Sequence, residues 1–200
     1  MQVTIYLAVL LGILRISSTA NLTNPGTHQN QKYKIHVTRI QCLEQPYKLT
    51  TLHACKVRLR RNQPTLITIE MDVPILLKKV FLEFKMNYKL ATYQPMMMQF
   101  TTEVCNYYRL PKGTEPVVDY INAGLKVYIP EIVHPCPYGK RYYNLSNWIL
   151  DERYVPISMP AGDYRLDARV SDKDNVTLIN FQLFATIRSK GITPISLLDW

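Results

Sequence analysis

Short segments in which apolar and polar residues alternate constrain the fold of this 200-residue chain most strongly. The clearest alternation places Ile67, Ile69, Met71 and Val73 on one side of a segment and polar residues on the other. A period of two puts successive side chains on opposite faces of a β-strand. Seven or eight such segments, separated by turns, predict an all-β fold, a sandwich of two antiparallel sheets.

Three irregularities in the strands are predicted, one from a change in the alternation of apolar residues and two from the position of prolines. The parity of the apolar residues slips between Val37 and Ile40, which indicates a β-bulge. Pro74 is expected to end the strand described above, because proline cannot donate a ladder hydrogen bond. Further on, a long hairpin is expected to turn through Gln94 and Pro95.

The segment 115–127 breaks the period of two and predicts one inserted helix. Pro116 suits the first turn of a helix, where its missing N–H is no loss. Val117, Ile121 and Leu125 then recur at helical spacing.

The N-terminus has the features of a secretory signal peptide. An apolar run from Ile5 to Leu14 precedes a small-x-small sequence that ends at Ala20. The run is too short to span a bilayer, which takes about 20 apolar residues. We therefore expect a secreted, extracellular protein with a signal peptide at 1–20, a flexible N-terminal segment at 21–31, a single β-sandwich domain at 32–190 and a C-terminal tail at 191–200.

Four cysteines form an even set, which favours disulfide bonds in an oxidising compartment. Cys42 and Cys55 are expected on adjacent strands, whereas Cys105 and Cys136 flank the predicted helix. We favour these two pairs among the three possible pairings.

Three sequons, which begin at Asn21, Asn144 and Asn175, are candidate glycosylation sites on a secretory route. The chain has a formal net charge of +9, and its densest basic cluster is Arg58, Arg60 and Arg61. Such a cluster is typical of a solvated turn or, alternatively, of a surface that meets anionic lipid headgroups. The charges form no stripe of the kind that binds nucleic acid.

The sequence contains no motif of a known catalytic or cofactor site. A GxSxG elbow, an HExxH pair, a phosphate loop and a glycine-rich dinucleotide turn are all missing from it. The four histidines, His28, His36, His53 and His134, are dispersed. We therefore expect no enzyme, no metal site and no cofactor.

Apolar volume between the sheets is the remaining candidate for a site. The apolar strand faces are rich in long side chains, and methionine adapts to irregular contacts. A closed core of normal packing density is the alternative to a pocket. The predicted pocket residues are Ile67, Ile69, Met71, Val73, Leu82, Phe84, Met86, Met98, Phe100, Phe181 and Leu183.

The order of several motifs resembles a family of small secreted insect proteins classed as a domain of unknown function. The motifs are Cys42, Cys55, the Glu103-Val104-Cys105 triplet, a helix, Cys136-Pro137-Tyr138-Gly139 and the segment 159–164, MPAGDY. This family includes chemosensory CheB-type proteins and is related to the ML lipid-recognition domains and the ganglioside activator. The resemblance runs from about Ile35 to Ile187, although Glu103 stands where the family usually has Asp.

The resemblance implies an immunoglobulin-like sandwich with a cavity between its sheets, no catalysis, and binding or presentation of lipid-like molecules, in some members for gustatory or pheromone sensing. Our first hypothesis is a carrier of a hydrophobic small molecule or lipid, such as a pheromone or cuticular hydrocarbon. The alternative is an extracellular interaction module with a closed core that modulates a membrane receptor or channel. In that case a rim of loop aromatics would bind the partner, formed by Tyr107, Tyr108, Tyr142, Tyr143 and Trp148.

Overall fold

A computed structural model describes residues 33–152 and 159–189. The predicted signal peptide, the segment 21–31 and the tail 191–200 lie outside the described residues. Within them the strands are β1 (Tyr33–Cys42), β2 (Thr51–Arg58), β3 (Leu66–Leu77), β4 (Val80–Lys89), β5 (Tyr93–Glu103), β6 (Tyr138–Trp148), β7 (Gly162–Asp172) and β8 (Thr177–Ser189). The helices are α1 (Val104–Tyr107) and α2 (Pro116–Tyr128), followed by a 3-10 turn at Pro130–Ile132.

The strands form two sheets of unequal width. One sheet has five strands in the order β1-β8-β7-β4-β5, and the other has three in the order β2-β3-β6. All neighbouring strands are antiparallel. The predicted all-β antiparallel sandwich with one inserted helix is confirmed.

The bulge in β1 is confirmed, but the effect predicted for Pro74 is wrong. The register of β1 shifts between Val37 and Arg39. β3 continues through Pro74 to Leu77, because neither neighbour requires an N–H there. The pairing of β2 with β3 stops at Asp72, and the register with β6 is irregular beyond Val73. A proline is tolerated in a strand at such a bulge.

The predicted position of the hairpin loop is also wrong. Gln94 and Pro95 belong to β5, where they pair with Tyr88 and Asn87, and the turn lies at 90–92. β5 is an edge strand, so an N–H missing at Pro95 can fall on its unpaired side.

Both predicted disulfide bonds are present. Cys42 is bonded to Cys55 across a separation of 13 residues, and Cys105 to Cys136 across 31. Cys105 lies in α1, directly after the end of β5. The Glu103 carboxylate accepts a hydrogen bond from the Cys105 backbone N–H at 3.0 Å and so caps this helix.

The two ends of the sandwich differ in the elements that adjoin the strands. At the helical end, β5 ends at Glu103 and continues into the two helices, which are tied back by the Cys105–Cys136 bond. At the open end, β1 begins at Tyr33 beside Ser189, the last residue of β8. No helix within residues 33–152 and 159–189 is long and apolar enough to cross a bilayer.

Candidate functional site

On the inner surface of the five-stranded sheet, apolar side chains of β4 and β5 lie next to one another. Phe84 lies opposite Phe100 on one side and Ala168 of β7 on the other. Paired residues project to the same face of a sheet, and Ala168 is buried at 5% exposure. Phe84 and Phe100 therefore point into the sandwich. We define the β4–β5 apolar face as Leu82, Phe84, Met86, Met98 and Phe100.

These five side chains are only half-buried. The rings of Phe84 and Phe100 stack with their centroids 5.1 Å apart and their planes 13° apart. Single exposed apolar residues are ordinary on protein surfaces, but a contiguous apolar face that stays accessible is typical of a binding surface.

Unequal sheet width explains why this face is accessible. Neighbouring strands lie about 4.8 Å apart, so a sheet with two more strands is about 10 Å wider. The core cluster at the centre of the sandwich joins Val37 and Leu183 of the wide sheet to Ile67 and Ile69 of the narrow one. The cluster at the open end is built on Met159, with no described residue of the narrow sheet. Its buried members are Met159, Tyr164 and Ile187, packed against Tyr33, Ile35, Met86, Tyr88 and Met96.

The predicted pocket residues therefore separate into two groups. Ile67, Ile69, Val73 and Leu183 are at most 5% exposed and lie in packed clusters that join the two sheets. Met71 and Phe181 are partly buried against the central cluster. The remaining five form the β4–β5 apolar face. Ligand contact at any of these positions stays a prediction.

The outer surface of the same strands has the opposite chemistry. An open groove of about 430 Å³ crosses it, and Arg169 there donates to the Glu83 carboxylate at 2.7 Å. The outward residues of this groove are polar or charged: Glu83, Lys85, Gln99, Thr101, Asp167, Arg169 and Asn180. Phe84, Phe100 and Ala168 also line this groove, between its polar side chains.

At the helical end, half-buried tyrosines hold α2 in position. The Tyr107 hydroxyl donates to the Asp119 carboxylate at 2.6 Å, and Tyr108 donates to Asn122 at 3.0 Å. Tyr138 donates to the carbonyl of His134 at 2.7 Å. Burial is the main reason that the pKa of Tyr107 and that of Tyr138 lie well above the usual value for a phenol.

The predicted rim of loop aromatics does not form. Tyr142, Tyr143 and Trp148 lie on β6, and Tyr107 lies on α1. Tyr143 is buried at 8% exposure, whereas Tyr142 is 46% exposed. Alternation along β6 sends these two neighbours to opposite sides of the narrow sheet, so they cannot share one binding surface.

Two of the three predicted glycosylation sites lie among the described residues, and Asn21 does not. Asn144 is exposed on β6, where its side-chain oxygen accepts a hydrogen bond from Ser146. Asn175 is exposed in the turn between β7 and β8, with a φ of 60° and its side-chain oxygen bonded to Arg169 at 2.8 Å. Glycosylation of each site stays a prediction.

Two of the histidines among the described residues, His36 and His53, lie on different sheets. His36 is exposed on β1 of the wide sheet, and His53 lies on β2, where its ring is 5.5 Å from that of Tyr142. In residues 33–152 and 159–189, no three His, Cys, Asp or Glu side chains lie close enough together to hold a metal ion.

Comparison with known proteins gives limited similarity. No curated protein matches this chain. A Niemann-Pick type C2 protein from the Japanese carpenter ant is 11% identical, with a TM-score of 0.36, over 73% of this chain and 98% of that one. Chicken MD-1 complexed with lipid IVa is 14% identical, with a TM-score of 0.31, over 79% of this chain and 99% of that chain. The model of a family described as a protein of unknown function, DUF1091, matches residues 82–166, which include the whole β4–β5 apolar face.

Proposed function

We propose that this chain is a secreted protein that carries or presents a hydrophobic ligand on the β4–β5 apolar face. One observation supports this proposal most directly. Five apolar side chains share one face of the wide sheet and are half-buried, while the narrow sheet packs elsewhere. A ligand that covered this face would remove apolar surface from water at about 25 cal/mol for each Å² buried.

The chemistry of the face suits an acyl chain or a hydrocarbon. Its residues are leucine, methionine and phenylalanine, with no charged group among them. The stacked rings of Phe84 and Phe100 offer a flat wall, and the flexible thioethers of Met86 and Met98 can adapt to chains of different shape. Sites of this kind are mostly apolar and hold their guest by shape and burial.

The resemblance to chemosensory insect proteins suggests a pheromone or a cuticular hydrocarbon as the ligand and a membrane receptor or channel as a partner. Secretion is supported by the two disulfide bonds, which persist in oxidising compartments. The interaction-module hypothesis has lost its specific support, because the loop aromatics do not form a common rim.

A first experiment tests whether the protein holds a ligand. The full chain, expressed through a secretory route, is purified without detergent and extracted with organic solvent, and the extract is analysed by mass spectrometry. We expect a co-purified lipid or hydrocarbon. An empty extract, together with no rise in melting temperature on adding fatty acids or hydrocarbons, would contradict the proposal.

A second experiment places the ligand. In a displacement assay with a fluorescent fatty-acid analogue, Met98→Asp should weaken binding by tenfold or more, because a carboxylate would be buried against an apolar chain. Leu59→Asp is the matched control, since Leu59 is 59% exposed and lies just beyond β2. Equal affinities for the two variants would place the ligand elsewhere.

A further inference from the structure

The open-end half of the outer surface of the wide sheet collects basic residues from four strands. Lys34 pairs with Arg188, and Arg39 lies opposite Phe184. Because Ile35 and Ile187 pack inside the sandwich, Lys34 and Arg188 must point outward. We define the open-end basic face as Lys34, Arg39, Lys85, Lys89, Arg165 and Arg188.

Within the described residues, two carboxylates lie among these cations and a third, Glu83, lines the same groove as Lys85; all three are already paired. Asp163 lies 3.8 Å from the Lys89 ammonium and accepts a hydrogen bond from Thr186 at 2.8 Å. Asp167 accepts two hydrogen bonds from Arg165, at 2.8 and 2.9 Å.

The other four cations have no carboxylate partner in the part of the chain that the structure describes. They are Lys34, Arg39, Lys85 and Arg188, all of them exposed. A surface in which positive charges outnumber their partners attracts anions.

Aromatic rings hold two of the guanidinium groups flat against the sheet. The Arg39 guanidinium lies 3.9 Å from the centre of the Phe184 ring, and that of Arg165 lies 5.1 Å from the Tyr93 ring. The two rings meet edge to face at 5.8 Å. The cations therefore lie on a broad, shallow surface, and the adjoining groove of about 400 Å³ is open. A five-stranded sheet is about 20 Å across, which suits an extended planar partner.

An exposed apolar side chain borders this face. Leu90 is 66% exposed at the tip of the β4–β5 hairpin, directly after Lys89. An apolar residue that projects beside several cations is characteristic of proteins that bind the surface of a membrane. An acidic protein or a nucleic acid would use the charges but would give Leu90 no apolar environment.

We propose that the open end of the molecule docks on an anionic lipid bilayer, with the open-end basic face against the headgroups and Leu90 in the interface. This surface is separate from the β4–β5 apolar face, which lies on the inner side of the same sheet.

The test is co-sedimentation of the full chain with vesicles of phosphatidylcholine alone or mixed with phosphatidylserine. We expect binding only to the vesicles that contain phosphatidylserine, and loss of binding at high salt, because exposed charges are screened. Each basic residue near an anionic surface contributes about fivefold to the affinity. The double variant Lys34→Gln and Arg188→Gln should therefore bind more than tenfold more weakly. Leu90→Asn should weaken binding without changing its dependence on salt.

The matched control is Lys78→Gln and Lys79→Gln, which removes the same charge from exposed positions in the turn between β3 and β4, at the helical end. It should bind the vesicles as the parent chain does. An equal loss in both double variants, no binding to phosphatidylserine, or capture by heparin without any capture by vesicles would overturn the proposal. Displacement of the fatty-acid analogue should be unchanged in all these variants, so a failure of membrane docking is distinguishable from a failure of ligand binding.

Discussion

The helical end and the open end belong to the same sandwich but are closed by different means. At the helical end, the Cys105–Cys136 bond and the hydrogen bonds of Tyr107 and Tyr108 fix α2. At the open end, apolar side chains of the wide sheet surround Tyr164, whose hydroxyl donates to the Pro160 carbonyl at 2.5 Å. The difference indicates that a disulfide bond and an inserted helix fix the helical end, whereas apolar packing and side-chain hydrogen bonds close the open end around Tyr164.

Substitution of two glycines by alanine tests this comparison and should have the largest effect on the free energy of unfolding. At Gly139, near the helical end, φ is +89° and an added Cβ would lie 2.0 Å from the backbone oxygen of Ile75. At Gly162, near the open end, φ is +155° and an added Cβ would meet the Tyr88 ring at 2.5 Å. A side chain can move aside more easily than backbone. We therefore expect Gly139→Ala to lower the free energy of unfolding by about 5 kcal/mol and Gly162→Ala by about 2 kcal/mol in urea titrations.

Gly113→Ala is the control for backbone strain alone. Its φ is +90°, but nothing lies within 4 Å of an added Cβ. Its expected cost is about 1 kcal/mol. If Gly162→Ala cost as much as Gly139→Ala, the open end would be as rigidly packed as the helical end and the comparison would fail.

Removal of the disulfide at the helical end should have the next largest effect. Replacement of Cys105 and Cys136 by alanine should lower the free energy of unfolding by about 4 kcal/mol, against about 3 kcal/mol for Cys42 and Cys55, because the longer loop restricts the unfolded chain more. Hydrogen exchange should accelerate in α1 and α2 and stay unchanged at the start of β7. Faster exchange at β7 would show that the two ends are coupled.

Local features of the fold were predictable from the sequence. Strand alternation, the bulge after Val37 and the helix that begins at Pro116 depend on neighbours in the chain. Each disulfide bond joins two cysteines that are consecutive among the four. The errors at Pro74 and Pro95 have a different origin. Whether a proline ends a strand depends on whether a neighbouring strand needs its N–H, and this is decided by long-range pairing.

The candidate site was predictable only in part. Alternation identified the apolar residues, but it could not separate Ile67, which packs in the core between the two sheets, from Phe100, which is outside that core. That separation depends on the number of strands in each sheet. The open-end basic face could not be predicted from the sequence, because Lys34 and Arg188 are brought together only by the pairing of the first strand with the last.

A pair of core truncations tests whether the β4–β5 apolar face is built for packing or for access. Ile67 is fully buried between the sheets, so Ile67→Ala should cost about 3 kcal/mol of stability. Phe100→Ala removes a larger but half-buried side chain and should cost about 1 kcal/mol in protein freed of lipid. Added ligand should protect the parent chain from thermal unfolding more than it protects Phe100→Ala. Equal costs would mean that the face belongs to a closed core.

The smallest expected effect on stability is its dependence on alkaline pH, which also allows a comparison of the two ends. Burial raises the pKa of Tyr164, at the open end, to about 12, and it raises the pKa of Tyr138, at the helical end, further. An unfolded phenol ionises near pH 10, so the unfolded state loses protons first. The stability that the neutral phenols contribute is complete below pH 10 and is lost as the pH rises from there through the raised values.

Denaturant midpoints measured between pH 9 and pH 11 should therefore fall with pH in the parent chain. Tyr138→Phe and Tyr164→Phe should each make that decline shallower, since one ionisation of the unfolded state is removed. Tyr138→Phe should also lower stability at neutral pH, because its hydroxyl donates to the backbone carbonyl of His134 at 2.7 Å. A decline unchanged by Tyr164→Phe would mean that water reaches this phenol, and that the open end is less closed around Tyr164 than its 4% exposure indicates.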